Sequence, residues 1–504
     1  MKQKLVATAV AAALAAAAGS AFALAPGSFD PATIPQVYMS GATAQNGGIN
    51  NVARLICQDG TLDAYSTVSQ VAFVCTVRAG STLGAAYDGT NIAIHKESSG
   101  GSGLGIDNLI NGITLNFVNL SPIVAGQTAC TLDTVSSVVA AGALAAENVW
   151  NCPTTQVTAQ IPQIGFSDVD PAVFGKTTSG TAGTITVNSP NQLTFGVAVT
   201  VPLRNALQGA QGLTVGSDLA VDTPSLSNAE VQRMFQQTKA STNTGATFGL
   251  TGDTNRVYAI RRGATSGTQK TAEIYFFNAN VVQSSFAINS FASPTTGYNS
   301  VVASDAGCGT ATSAPASTGM VFAGSANEQN VNCLNRHAAG GRYAVANLTM
   351  EFNAFNNPAS TSAAIDTTYP TGFRYVKLNG YLPTIENMVR GNYSYYSEQV
   401  ITALNTIAGV PAAVLSGYVA ELGNAANVTT INANFTRWTD LPVGYQTSGL
   451  LKPGAAVAAN CRGKFAALGT TPDTDPVNYI TKNASGISVQ NAVPAGIATC
   501  PPRF

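Results

Sequence analysis

Charged residues are scarce in this chain of 504 residues, since Asp, Glu, Lys and Arg together make up 10% of it. An average soluble domain has about 25%. The net charge is −1 and the 24 Lys and Arg residues form no cluster, which argues against a nucleic-acid-binding face. Alanine, glycine, serine, threonine and asparagine take the place of charge, a composition that suits a periplasmic or extracellular surface.

Histidine is scarcer still, because only His95 and His337 occur, and there is no C-x-x-C spacing. A Cys/His zinc site is therefore not expected, and we predict neither a metal nor another cofactor. Enzymatic activity is not expected either. A Ser266 nucleophile would lack a base, since neither histidine stands in a nucleophile motif, and no carboxylate cluster for a catalytic metal is apparent.

Long hydrophobic runs are missing after the N-terminus, where no stretch reaches the roughly 18 apolar residues of a membrane span. The N-terminus itself is typical of a secretory signal peptide, with basic "MKQK", apolar "LVATAVAAALAAAAG" and the A-x-A cleavage site of "SAFA". We predict a signal peptide over residues 1–23. The first cysteine is Cys57, so a lipid anchor is not expected and the mature protein should be periplasmic or secreted.

Eight cysteines are present, an even number that fits disulfides in an oxidising compartment. Sequence alone does not fix their connectivity. Pairing between neighbours is the simplest hypothesis, and it gives Cys57–Cys75, Cys130–Cys152, Cys308–Cys333 and Cys461–Cys500.

Apolar strands that end in small-residue turns recur along the chain. "QVYMSGATAQNGGINNVARLI" and "NIAIHKESSGGSGLGIDNLINGI" each predict a strand, a turn and a helix, and "QIPQIGFSDVDPAVF" predicts a strand that ends at Asp168. Strands that alternate with helices indicate an α/β fold with largely parallel sheets. Ligand-binding groups in such folds gather at the carboxyl ends of the strands.

The stretch "RRGATSGT" at 261–268 lies between a predicted strand and a predicted helix. Backbone N–H groups, hydroxyls and the positive end of the helix dipole converge at such a turn, and an arginine adds a forked, permanently charged donor. Taken alone, the stretch fits an ordinary helix start better, with Ser266 or Thr268 as the N-cap.

Five segments in order resemble the phosphate-binding proteins of ABC phosphate importers, in the type 2 periplasmic-binding-protein superfamily. The resemblance covers roughly residues 34–400. The segments are "SGATA" at 40–44, "GSGLGI" at 101–106, "IGFSDVDP" at 164–171, "RRGATSGT" at 261–268 and "NGYLPTIENMVRGNYSYYSEQVI" at 379–401.

The resemblance implies a ligand site at these turns. Hydroxyl and N–H groups of three helix starts would bind an oxyanion, Arg262 would bind it through two hydrogen bonds, and Asp168 would accept a hydrogen bond from a protonated phosphate oxygen. The nominated ligand-binding residues are Thr43, Ala44, Ser102, Asp168, Arg262, Ser266, Gly267 and Thr268.

Three positions depart from the family pattern. The family usually has an aromatic residue where Ala44 stands, and an acidic residue and a glycine where Ala264 and Thr265 stand. Because the acidic residue normally orients the arginine, Arg262 is expected to be held differently here, or to be replaced by Arg261.

The resemblance also implies two α/β lobes with a hinge and a cleft between them, extended by disulfide-bearing insertions and a C-terminal extension. We expect lobe I to span residues 24–197, with an insertion at about 115–160, and to return over 395–430. Lobe II would span 198–394, and residues 285–340 look like a second insertion. Residues 431–504 would be the extension, of unassigned role.

The leading functional hypothesis is an exported solute-binding protein for phosphate or a related oxyanion, which delivers its ligand to an ABC permease. The alternative is a secreted or cell-surface interaction protein that reuses the same fold. The extension, the candidate disulfides and the low surface charge motivate this alternative.

Overall fold

The computed structural model describes most of the chain between residues 26 and 451. The described residues are 26–433 and 450–451, with gaps at 68, 99, 125–129, 175–177, 237–243, 278–307, 310–311, 313–320, 325, 351–371, 385–386 and 389–391. The predicted signal peptide, most of the predicted extension and the Cys461–Cys500 pair lie outside the described residues.

Strands follow the apolar, β-branched segments of the sequence. They are β1 (Gln36–Gly41), β2 (Leu62–Ser66), β3 (Gln70–Thr76), β4 (Asn91–Glu97), β5 (Leu115–Val118), β6 (Thr131–Val138), β7 (Glu147–Asn151), β8 (Val157–Gln160), β9 (Ile164–Ser167), β10 (Ser179–Gly180), β11 (Gly183–Asn188), β12 (Gln192–Thr200), β13 (Ser225–Leu226), β14 (Val257–Arg262), β15 (Val321–Gly324), β16 (Tyr343–Thr349), β17 (Phe373–Tyr375), β18 (Lys377–Leu378), β19 (Tyr396–Glu398), β20 (Val400–Leu404) and β21 (Leu450–Leu451).

Helices follow the Gly/Ser/Thr turns and the amphipathic segments. They are α1 (Asn46–Ile56), α2 (Gly101–Asn111), α3 (Ser121–Val124), α4 (Val201–Ala210), α5 (Asn228–Gln236), α6 (Gly267–Phe277), α7 (Asn327–Ala339), α8 (Gly409–Gly423) and α9 (Ala425–Ala433). None of the helices within the described ranges is long and apolar enough to cross a membrane.

Two mixed sheets form the framework, and the predicted α/β, two-lobed fold is confirmed. The first sheet has ten strands in the order β10-β11-β20-β9-β1-β4-β3-β2-β7-β6. We call this sheet, with helices α1, α2 and α8, lobe one. The second sheet has the order β15-β14-β16-β12-β17, and β19 and β21 also pair with β12. We call it, with helices α4 to α7, lobe two.

The sheets are less parallel than the sequence suggests. β1 is parallel to β4 and β9, but β3 is antiparallel to β2 and β4. The connection from β2 to β3 is only a few residues long, and so short a connection can join only antiparallel strands. The parallel core of lobe one still places the ends of β1, β4 and β9 at one edge.

The chain passes between the lobes at two adjacent points. β11 belongs to lobe one and β12, four residues later, belongs to lobe two. On the return, β19 pairs with β12 and β20 pairs with β9 in lobe one. The Gln399 N–H donates to the Asn191 carbonyl at 3.0 Å, so the two crossing segments are bonded to each other.

Three disulfides lie within the described residues, and each joins neighbours in sequence. They are Cys57–Cys75, Cys130–Cys152 and Cys308–Cys333. Bridges of this kind suit an oxidising compartment outside the cytoplasm.

The stretches expected to be insertions contribute strands to the two sheets. In the first, over 115–160, β7 pairs in parallel with β2, and Trp150 stacks on Tyr65 with ring centroids 6.1 Å apart. In the second, over 285–340, β15 pairs in parallel with β14. Both stretches are polar or rich in small residues, so their pairing partners are not visible in the sequence.

Candidate functional site

The turn after β1 passes directly over the end of β9. Gly41 has a φ of 111°, and a Cβ there would lie 2.1 Å from the Phe166 carbonyl oxygen. Only glycine fits this approach. The next N–H, of Ala42, donates to the same carbonyl at 3.0 Å. A short 3-10 turn over Thr43–Gln45 then leads into α1 and buries the Thr43 hydroxyl in the space between the lobes.

The turn after β4 also depends on glycine. Gly100 and Gly101 have φ values of 78° and 70°, in the left-handed region that residues with a Cβ rarely adopt. The second residue of α2, Ser102, is fully buried. Its Oγ accepts a hydrogen bond from the Asp168 N–H at 3.0 Å, which ties the start of α2 to the end of β9.

Asp168 presents a buried carboxylate at the end of β9. Its Oδ1 accepts a hydrogen bond from Gln45 Nε2 at 3.4 Å, and its Oδ2 accepts one from the Thr268 hydroxyl at 3.2 Å. Burial raises the pKa of Asp168, while nearby Arg262 and the hydrogen bonds from Gln45, Thr268 and Ser102 act in the opposite direction. The carboxylate is thus an acceptor enclosed by donors from both lobes.

Arg262, the last residue of β14, reaches from lobe two to lobe one with only 2% of its surface exposed. Its Nη1 donates to the Thr43 hydroxyl at 3.1 Å and to Asn327 Oδ1 at 2.6 Å. Its Nε donates to the Gly324 carbonyl at 3.2 Å. Asn327 and Gly324 of lobe two and Thr43 of lobe one thus orient the guanidinium.

The start of α6 contacts lobe one closely. The Gly103 N–H donates to the Thr265 carbonyl at 2.8 Å. A Cβ on Gly267 would lie 2.4 Å from Ser102 Oγ and 2.7 Å from Asp168 Cβ. Ser266 caps α6, since its Oγ accepts a hydrogen bond from the Gln269 N–H at 3.4 Å. The two helix starts therefore meet across the space between the lobes.

The structure brings the nominated residues together. Thr43 contacts Arg262, Ser102 and Thr268 contact Asp168, and Gly267 lies against Ser102. Ser266 caps the adjacent helix, and Ala44 is buried in the Thr43 turn. Arg261 does not take the place of Arg262. Neighbouring residues of a strand point to opposite faces, and the carboxylate that acts on Arg261 is that of Glu273 in α6.

Three contributors to the site are absent from the sequence prediction. Gln45 directly follows the "SGATA" segment, and this position in the predicted turn was the one sequence feature that could have marked it as a site residue. Lys96 precedes the "SSGGSG" turn and lies fully inside the protein. Asn327 begins α7, in a stretch expected to be an insertion, and no local pattern marks it as a partner of Arg262.

His95 lies in β4 with its ring packed against other aromatic side chains. It is fully buried, stacks on Tyr38 with ring centroids 4.6 Å apart, and contacts Gln36 Oε1 through Nε2 at 3.0 Å. Burial lowers the pKa of His95 to about 3, which keeps the ring neutral.

Cys308, Cys333 and His337 are the described side chains that come close enough to hold a metal ion, with their ligand atoms within 4.8 Å of one another. The two sulfurs are joined in a disulfide. The His337 Nδ1 accepts a hydrogen bond from Arg342 Nε at 3.2 Å. The two sulfurs and the His337 Nδ1 are thus already engaged in these bonds.

No protein-family model matches the chain, and no curated protein matches it. Solved structures do match. The fold is similar to a candidate phosphate ABC transporter substrate-binding protein from Clostridium perfringens with bound phosphate, at 11% identity and a TM-score of 0.41, covering 83% of this chain and 99% of that chain.

Two further structures are similar at lower scores. An ABC-type phosphate transport receptor from Vibrio cholerae has 12% identity and a TM-score of 0.29, covering 55% of this chain and 79% of that chain. A possible phosphate binding protein from Planctomyces limnophilus has 10% identity and a TM-score of 0.25, covering 54% of this chain and 74% of that chain.

Proposed function

We propose that this chain is an exported binding protein for phosphate or a closely related oxyanion, held between the two lobes. The observation that carries the proposal is the pairing of Arg262 and Asp168 in one buried site. The Arg262 guanidinium donates to the Thr43 hydroxyl of lobe one, the Asp168 carboxylate accepts from the Thr268 hydroxyl of lobe two, and the two charged groups act on each other.

The donors suit an oxyanion. The Arg262 guanidinium donates to the Thr43 hydroxyl, and the hydroxyls of Ser102 and Thr268, at the starts of α2 and α6, both contact Asp168. Helix N-termini bind anions through free N–H groups and the helix dipole. An arginine adds charge and two parallel donors that match a tetrahedral oxyanion.

The carboxylate suits an oxyanion that keeps a proton. Phosphate and arsenate keep a proton near pH 7 and can donate it in a hydrogen bond to Asp168, whereas sulfate has no proton to donate. Facing sulfate, the Asp168 carboxylate would receive no hydrogen bond from the ligand, and its oxygen would lie unpaired against a sulfate oxygen. An unpaired buried polar group costs about 1–3 kcal/mol, and more if charged, which corresponds to roughly tenfold to hundredfold weaker binding of sulfate.

Contacts between lobes make closure the natural response to ligand. Arg262 and Thr268 belong to lobe two, while Thr43 and Asp168 belong to lobe one. A ligand that touches all four binds the closed form more tightly and shifts the population toward it.

The three disulfides suit a protein that works outside the cytoplasm, and delivery to an ABC permease is the role that fits such a carrier.

The test is calorimetric titration of the chain, unfolded and refolded to remove ligand, with phosphate, arsenate and sulfate near pH 7. We expect phosphate and arsenate to bind and sulfate to bind at least about tenfold more weakly. Asp168→Ala should lose phosphate binding. No heat with any of the three anions, in a sample whose fold is verified by circular dichroism, would contradict the proposal and favour the alternative of an interaction protein.

A further inference from the structure

Lys96 is a buried cation that none of the sequence motifs accounts for. It is the sixth residue of β4, and only 1% of its surface is exposed. Its Nζ donates to three acceptors, the Gly41 carbonyl at 2.9 Å, the Glu97 carbonyl at 2.9 Å and Ser98 Oγ at 3.1 Å. A lysine this deep in a protein requires such partners, since a buried charge is costly without them.

The acceptors belong to the two turns that carry the lobe-one side of the site. Gly41 ends β1 and lies two residues before Thr43. Ser98 follows β4 and lies four residues before Ser102. Ser98 Oγ in turn donates to Asn46 Oδ1 at 3.0 Å, at the start of α1. One ammonium group therefore links the Thr43 turn to the Ser102 turn.

The hydrogen bonds require the charged form of Lys96. The Gly41 and Glu97 carbonyls can only accept, and the single hydroxyl proton of Ser98 is donated to Asn46. Nζ must therefore supply all three protons, which only an ammonium group can do. Loss of one proton would break one of the three bonds and loosen a turn.

Burial and nearby carboxylates have opposite effects on the pKa of Lys96. Burial lowers the pKa of Lys96 to about 7, and Glu97 on its own strand, Asp168 after β9 and Glu328 at the start of α7 act to raise it. The other cation at the site is Arg262 of β14. A bound anion adds negative charge next to this group, so it favours the ammonium form of Lys96.

We propose that Lys96 is a positioning residue of the anion site, which fixes the turns of Thr43 and Ser102 relative to each other and holds them ready for ligand. This inference rests on the proposed function and extends it to a residue that does not touch the ligand. It requires that the effect of Lys96 on binding follows its own protonation, which a lysine that only fills space in the core would not show.

The experiment compares wild type with Lys96→Met, which keeps the length of the side chain and removes the charge and its hydrogen bonds. Lys270→Met is the matched control, because Lys270 on α6 pairs with Glu273 at 2.9 Å on the partly exposed side of that helix. Phosphate dissociation constants are measured at pH 6 and pH 8.5. The ratio of variant to wild type at each pH cancels the ionisation of phosphate itself.

We expect Lys96→Met to weaken phosphate binding about tenfold at pH 6, and the ratio to shrink toward one at pH 8.5, where wild-type Lys96 is largely neutral. Lys270→Met should show a ratio near one at both pH values. An unchanged affinity in Lys96→Met at pH 6, or a ratio equal at both pH values, overturns the inference.

A measurement without ligand separates this inference from the proposed function. Amide hydrogen exchange of the refolded, ligand-free chain at pH 6 should be faster in Lys96→Met than in wild type over residues 41–46, 98 and 100–102, and unchanged in Lys270→Met. If wild type binds no anion, the proposed function fails while this readout still shows whether Lys96 holds the turns. Equal exchange in those two segments counts against Lys96 in either case.

Discussion

The Thr268 hydroxyl donates to the Asp168 carboxylate at 3.2 Å and so joins two residues that lie 100 positions apart and on different lobes. A second bond between lobes, from Arg262 to Thr43 at 3.1 Å, lies beside it. The closed arrangement is thus held by the same groups that we propose to bind the anion. A ligand must satisfy these groups at least as well as they satisfy one another, which makes binding sensitive to small changes in their geometry.

Gly267 provides the sharpest test of this close approach. A Cβ there would lie 2.4 Å from Ser102 Oγ and 2.7 Å from Asp168 Cβ, too close for the lobes to meet. We expect Gly267→Ala to weaken phosphate binding at least about tenfold, a loss of about 1.4 kcal/mol. Calorimetry measures the affinity, and small-angle X-ray scattering should show no compaction on addition of phosphate.

Gly263→Ala is the matched control for that variant. Gly263 lies in the same turn, but a Cβ there would have no heavy atom within 4 Å. Its affinity should stay within about twofold of wild type, a difference of roughly 0.4 kcal/mol. Equal affinities in the two alanine variants would show that the contact between α6 and α2 plays no part in binding.

Asp168 should determine the discrimination between phosphate and sulfate. The amide of Asp168→Asn can donate to an unprotonated oxygen, so sulfate affinity is expected to rise about tenfold and phosphate affinity to fall. The raised pKa of Asp168 predicts that the sulfate affinity of the wild type also depends on pH. As the pH falls through that pKa, the wild-type carboxyl becomes a donor and sulfate binding should strengthen.

The pH series also supplies the control for Asp168. In Asp168→Asn the amide does not titrate, so sulfate affinity should vary less with pH than in wild type. Calorimetric titration with sulfate from pH 4.5 to pH 8 measures both chains. Parallel pH profiles would assign the wild-type dependence to another group.

The two neighbouring arginines allow a paired test of charge at the site. Arg262→Met removes the donor that bonds Thr43 and Asn327, and we expect at least about a 100-fold loss of phosphate affinity, or roughly 2.7 kcal/mol. Arg261→Met removes an equal charge from the other face of the strand and should change affinity less than about threefold, or roughly 0.7 kcal/mol. Similar losses in both variants would indicate a general effect of charge.

Much of this arrangement is predictable because its signals are local. A strand, a small-residue turn and a helix start follow one another at Thr43, at Ser102 and at Ser266, so the pattern of apolar and small residues marks each element. The pairing of neighbouring cysteines is local as well. The structure gives three of those disulfides.

The partners of Arg262 and the role of Lys96 depend on distant contacts. Asn327 reaches Arg262 across 65 positions, from a stretch whose composition looks like an insertion. Lys96 lies among polar residues at the end of β4, and its acceptors on Gly41 and Ser98 come within reach only once the strands pair. Neither set of contacts produces a periodic or compositional pattern in the sequence, so neither can be predicted without knowing the order of the strands in the sheets.

Glu147 should make stability depend on pH independently of the anion site. Burial raises the pKa of Glu147 from 4.5 to about 7, and nearby Arg54 only partly offsets this. The folded chain thus keeps a proton between pH 4.5 and 7 that the unfolded chain has lost. The free energy of unfolding should therefore fall as the pH rises through this window, by up to about 3 kcal/mol at 1.36 kcal/mol per pKa unit.

Glu147→Gln removes this titration while it keeps the shape of the side chain. Arg54 stays charged throughout the window, so its loss of a partner shifts the stability without adding a slope. Urea unfolding at pH 4.5, 6 and 8 should therefore give a flatter dependence on pH in the variant than in wild type. Equal slopes would mean that Glu147 ionises at the same pH in the folded and unfolded chains, and that burial at the start of β7 leaves its proton affinity unchanged.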